Sequence, residues 1–160
     1  MNNSWSPQEI LDIAFRVEEN GEHLYAKLEE QATDEKIKTI WKFLKEQEIG
    51  HQSKFKSMLD CAGDYLVSEF GAGDYDAYLE AIAATYIFTP EIINRKTEES
   101  FSSPLEAVEF ALQIEKESIL VYTALKDYIL SDKQDIIQNI IKEEKKHVIV
   151  LSELKKTLKN

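Results

Sequence analysis

The chain has 160 residues, 43% of them hydrophobic and 31% charged, with 19 Lys plus Arg against 30 Asp plus Glu and a formal net charge of −11 at pH 7. That is enough for one domain with a real core, expected over 1–160, and lysines interleaved with glutamates exclude an electrostatic surface for nucleic acid or an anionic membrane. The lone cysteine, Cys61, rules out an intramolecular disulfide, a four-cysteine iron site or a CxxC pair; with no uncharged apolar run near ~18 residues and no leader-like start, a cytoplasmic protein that neither spans a membrane nor is secreted is expected.

Ser6 reads as an N-cap, with Pro7 at the first helical position, Glu9 closing a capping box, and Trp5 and Ile10 at the spacing of a hydrophobic staple. In the helix predicted over 7–32, Ile13, Ala14, Val17, Leu24 and Leu28 continue the stripe begun by Ile10, and Glu18, Gly21 and Tyr25 fall on the same face. Thr33 or Asp34 can cap the next helix, predicted over 34–62, whose stripe of Ile37, Ile40, Trp41, Leu44, Phe55 and Met58 is interrupted by Glu48 and His51. Ala62-Gly63 is a natural stop, because glycine takes the left-handed C-terminal conformation without strain.

Residues 63–102 read as a connector, broken by Gly71, Gly73 and Pro90, in which Tyr75 to Phe88 can be helical and Thr89-Pro90-Glu91 can start another short turn. Ser103-Pro104 opens a helix predicted over 103–130, presenting Ala107, Phe110, Ala111, Ile114, Glu115, Ser118, Val121, Tyr122 and Leu125. Ser131 or Asp132 caps the last, over 132–157, with Ile136, Ile137, Ile140, Ile141, Glu144, His147, Val148, Leu151 and Leu154 inward. The expectation is an all-α four-helix bundle of two antiparallel hairpins, joined by a crossover long enough to run the length of the bundle.

The two halves align on each other. Ser6-Pro7-x-Glu9 recurs as Ser103-Pro104-x-Glu106, Glu18 as Glu115 and Tyr25 as Tyr122 at an offset of 97, and Glu48-x-x-His51 recurs as Glu144-x-x-His147 at an offset of 96. Positions i and i+3 of a helix lie about 60° apart around the axis, so each Glu-x-x-His pair can reach one metal ion or a close pair of ions. Six polar residues, Glu18, Glu48, His51, Glu115, Glu144 and His147, thus point into an apolar bundle whose stripes carry no Lys or Arg to pair with them. Four unpaired buried carboxylates would be very costly; metal removes that cost, and two divalent ions neutralise four carboxylates.

An imidazole and carboxylate set suits iron or manganese, with adventitious zinc a third occupant, and iron is the first expectation. Glu48 and Glu144 would bridge, with Glu18 and His51, and Glu115 and His147, as terminal ligands. Tyr25 and Tyr122, two turns beyond the first glutamates, can hydrogen-bond ligand carboxylates across the bundle. His23 is expected at the surface and excluded as a ligand, Glu22 is read as an exposed helical carboxylate near the site entrance, and Cys61 as a structural or incidental thiol.

Glu18 with Tyr25, Glu48-x-x-His51, Glu115 with Tyr122 and Glu144-x-x-His147 resemble the rubrerythrin branch of the ferritin-like superfamily, over residues 6 to 157 apart from the connector. The resemblance implies a ferritin-like bundle holding two irons at these six residues as the catalytic metal centre, reacting with hydrogen peroxide or dioxygen, often as a homodimer. The sequence departs from it twice. No four-cysteine rubredoxin module is encoded, so a separate electron-donor protein is expected, and Ser118 stands where rubrerythrins tend to carry a further glutamate. Alternatives from other classes are a ferroxidase or iron-handling protein and a non-catalytic metal-binding bundle.

Overall fold

The computed structural model describes residues 7–61, 77–78, 81–82 and 89–160. Among them are five helices and no strand: α1 (Pro7–Gln31), α2 (Glu35–Asp60), α3 (Pro90–Glu98), α4 (Pro104–Lys126) and α5 (Gln134–Lys159). The four long helices form a bundle in which α1 packs along α2 and α4 along α5, while α3 lies against α1. No helix among the described residues is long and apolar enough to cross a membrane.

The caps decide where the hairpins turn. Asp34 Oδ1 accepts the amide hydrogens of Lys36 and Ile37 at 2.8 and 3.0 Å, starting α2 after a three-residue turn. Ser103 Oγ accepts from the Glu106 amide at 3.2 Å, and the Glu106 carboxylate returns to the amide and hydroxyl of Ser102, one residue beyond the expected box partner. The expected Ser6 cap and Trp5–Ile10 staple fall outside the described residues and side chains, as do Ala62-Gly63; the last helical residue of α2 is Asp60, with Cys61 exposed after it.

The turn between α4 and α5 corrects the sequence-based bounds. α4 stops at Lys126 rather than Leu130, because Tyr128 and Ile129 turn into the core on reverse-turn bonds from their amides to Leu125 O and Lys126 O. Neither Ser131 nor Asp132 caps α5: Lys133 holds the N-cap place without a side-chain cap hydrogen bond, and the Gln134 amide instead secures the carbonyls of Lys126 and Ile129. Where a short turn was expected at Pro90, α3 runs for nine residues, capped by Thr89 and held to α1 through buried Ile93 and the bond from Gln31 Nε2 to Thr97 O at 2.8 Å. The rest of the helix expected over 75–88 lies outside the described residues, apart from helical 77–78 and 81–82.

Two apolar clusters fill the bundle. Leu11, Val17, Phe55, Val121, Leu125, Ile137 and Ile141 belong to one, and Leu24, Leu28, Trp41, Leu44, Ala107, Leu151 and Leu154 to the other. The sequence positions between them on all four long helices carry the polar residues.

Candidate metal centre

α1 brings Glu18, α2 brings Glu48 and His51, α4 brings Glu115, and α5 brings Glu144 and His147; each is at most 4% exposed. The apolar stripe forces this burial, since each polar side chain occupies a position whose helical neighbours on both sides are core residues. Donor atoms of Glu18, Glu48, His51 and Glu144 all lie within 4.8 Å of one another, and so do those of Glu48, Glu115, Glu144 and His147. Glu48 and Glu144 belong to both groups. The two imidazole rings stack with centroids 5.8 Å apart.

His51 Nδ1 lies 2.7 Å from Glu144 Oε1 and 3.2 Å from Glu18 Oε2. His147 Nδ1 faces Glu144 Oε2 at 3.2 Å, Glu48 Oε1 at 3.4 Å and Glu115 Oε1 at 3.5 Å. The phenols cross the bundle: Tyr25 of α1 donates to Glu115 of α4, and Tyr122 of α4 donates to Glu18 of α1. Tyr25 also stacks on Trp41, with centroids 5.9 Å apart and 17° between planes, and Tyr122 packs tilted against Phe55 at 5.3 Å, so both tyrosines are held by packing as well as by their bonds.

In the metal-free cluster, burial and mutual repulsion favour protonation of three of the four carboxyls. Burial, reinforced by the Glu144 charge, raises the pKa of Glu18 well above the usual carboxylate range and that of Glu115 to about 8; burial and the Glu18 charge do the same to Glu48. Burial alone would raise Glu144 too, but hydrogen bonds with His147 and His51 hold it below the usual value. Burial opposes charge on both imidazoles, yet the surrounding carboxylates outweigh it and raise both. Burial, then the neighbouring carboxylates, raises both phenols.

This donor set fits a metal. Glu48 Oε1 is buried without a hydrogen-bond partner, and no lysine or arginine among the described residues is buried. A cation held between the two imidazoles and the carboxylates would replace those protons and satisfy the unpartnered Glu48 oxygen, so burial would no longer penalise the charged carboxylates.

The rubrerythrin family model matches residues 9–155, nearly the whole chain. The chain belongs to the rubrerythrin family. A crystal structure of a Thermotoga maritima protein, described as a candidate ferritin-like diiron-carboxylate protein, is 30% identical, with 95% of each chain covered and a TM-score of 0.70. No curated protein matches. In this rubrerythrin-family chain the buried Glu and His cluster is therefore a metal-binding site of the diiron-carboxylate kind.

His23 and Glu22 are both half-buried rather than exposed: His23 Nε2 sits 2.5 Å from Asn94 Oδ1 of α3, and Glu22 accepts from Gln52 Nε2 at 2.5 Å. The packing of α3 on α1, which the sequence alone did not place, covers that side. Ser118 is buried with its hydroxyl turned to the Ile114 carbonyl. Two residues of this site were missed in the sequence. Gly21 makes space beside Glu48; a glycine inside a helix, about 1 kcal/mol worse than alanine there, was the signal. Glu143 touches His51, and as one of several charged residues beside Glu144 it gave no signal at all.

Proposed function

We propose that this rubrerythrin-family protein is a diiron oxidoreductase that reduces hydrogen peroxide or dioxygen, with Glu18, Glu48, His51, Glu115, Glu144 and His147 as ligands of two iron ions. The observation that supports it best is the convergence of four buried carboxylates and two imidazoles with no buried lysine or arginine among the described residues. Two ferrous ions held there supply one electron each, the two that convert one peroxide and two protons to two waters. The protein's part is to bind and hold. Glu48 and Glu144, shared by both donor groups, would bridge the ions; Glu18 with His51 and Glu115 with His147 would serve as terminal ligands; and Tyr25 and Tyr122 fix the terminal carboxylates by hydrogen bonds. The surrounding apolar clusters keep bulk water from the centre.

Cys61 is exposed and cannot pair with another cysteine of this sequence; on this reading electrons for a second turnover come from a separate donor protein, in a cytoplasmic, reducing setting, and the chain acts as a homodimer. The test is anaerobic loading with ferrous iron followed by peroxide. Oxidation of two irons per peroxide, then a stall relieved by an added rubredoxin-like or flavin reductant, supports the reading. Oxygen release with sustained peroxide loss and no donor indicates a dimanganese catalase instead, and a mineral core grown in a closed shell indicates iron storage.

A further inference from the structure

The two halves of the site are built from duplicated residues, yet their histidines are held differently on the outer side. His51 Nε2 donates to Glu143 Oε2 at 2.7 Å, and Lys54 Nζ donates to the same oxygen at 2.8 Å. Glu143 is one-third exposed and belongs to α5, so it reaches across to a histidine of α2. His147 has no such support: its Nε2 is buried without a hydrogen-bond partner, beside the ring of Phe43, which stands nearly perpendicular at 6.4 Å between centroids. The asymmetry is written in the duplication. At the offset of 96 that relates His51 to His147, Gln47 corresponds to Glu143 and Val150 to Lys54.

We propose that Glu143 is a positioning residue that makes the His51 side the tighter of two unequal metal positions, so that the site fills in order, the His51 side first. The inference rests on the two-metal reading of the site. With its Nε2 hydrogen committed to a carboxylate, a His51 ring that gives up its Nδ1 proton to a metal would keep that nitrogen's lone pair aimed among Glu18, Glu48 and Glu144, and the partner's negative charge would make it a better donor. Lys54 anchors the carboxylate in place. The His147 ring gains neither fixed tautomer nor added basicity, and must hold a buried N–H without an acceptor when its Nδ1 binds metal.

Anaerobic titration of the full chain with cobalt(II), followed by its visible bands against a competing chelator, tests this. The wild type should bind two ions in distinguishable steps. Glu143→Ala should weaken the first step by about 10- to 100-fold and leave the second, while Glu143→Gln, which keeps an acceptor without the charge, should fall between. Gln47→Glu should tighten the second step and bring the two together. The His51 Nε2 proton, followed by nitrogen-labelled histidine NMR of the metal-free protein, should be protected in the wild type and lost in Glu143→Ala at unchanged helicity. Two equal steps in the wild type, or equal weakening of both steps by Glu143→Ala, would overturn the proposal while leaving the two-metal reading intact; no cobalt bound by the wild type would overturn both.

Discussion

Gly21 of α1 stands against the carboxylate of Glu48 of α2: a Cβ on Gly21 would lie 2.8 Å from Glu48 Oε2 and 3.1 Å from its Cδ. The missing side chain is thus the space in which a carboxylate shared by both donor groups rests. The duplicate position is Ser118, also small and also buried.

Gly21→Ala should therefore separate folding from metal binding. The carboxylate end is flexible and can swing aside, and alanine favours the helix by about 1 kcal/mol, so the metal-free variant should be as stable as wild type or slightly more so. Metal affinity should drop by at least about tenfold, since Glu48 can no longer occupy its place. Urea unfolding of metal-free protein and a metal titration, run side by side, check the two halves of this expectation.

The crossed phenols give a second expectation. Tyr122→Phe removes the donor to buried Glu18, and Tyr25→Phe the donor to buried Glu115, so each should destabilise the metal-free fold by about 1 to 3 kcal/mol. The aromatic packing is retained in both variants. Similar midpoint shifts in urea for the two are expected from their equivalent places in the repeat.

The protonated cluster sets the pH response. A carboxyl whose folded pKa stands above its unfolded one stabilises the fold below the unfolded value and loses that contribution as pH rises through the folded value. Glu115 moves from 4.5 to about 8, Glu18 and Glu48 move up as well, and the raised imidazoles act with the same sign. Metal-free protein should accordingly melt lower at pH ~8.5 than at pH ~5, by about 5 °C or more, the scale of a 1 to 2 kcal/mol change in a chain of this size. Metal requires deprotonated ligands, so its stabilisation should grow over the same range. Thermal melts with and without chelator at both pH values decide it.

Fold and family were legible because the signals were periodic and repeated: four apolar stripes, two short turns and a duplication at offsets of 96 and 97 leave little besides a bundle of two hairpins. The same periodicity turns Glu18, Glu48, His51, Glu115, Glu144 and His147 inward, where the structure brings them together. What could not be read depended on neighbours distant in sequence. Tyr128 and Ile129 end α4 early because the core takes them, α3 covers His23 from more than 60 residues away, and Glu143 meets His51 only once α5 lies beside α2. Gly21 was visible as a position on the stripe, but its purpose depends on where Glu48 rests.

The central claim is that these six residues hold two metal ions, and counting iron tests it most directly. Protein loaded with ferrous iron under anaerobic conditions and freed of excess should carry two irons per chain. His51→Ala and His147→Ala should each fall to one or none while keeping nearly all their helicity, since the apolar stripes hold the bundle. Two irons retained in both variants, or fewer than one in the wild type, would contradict the account.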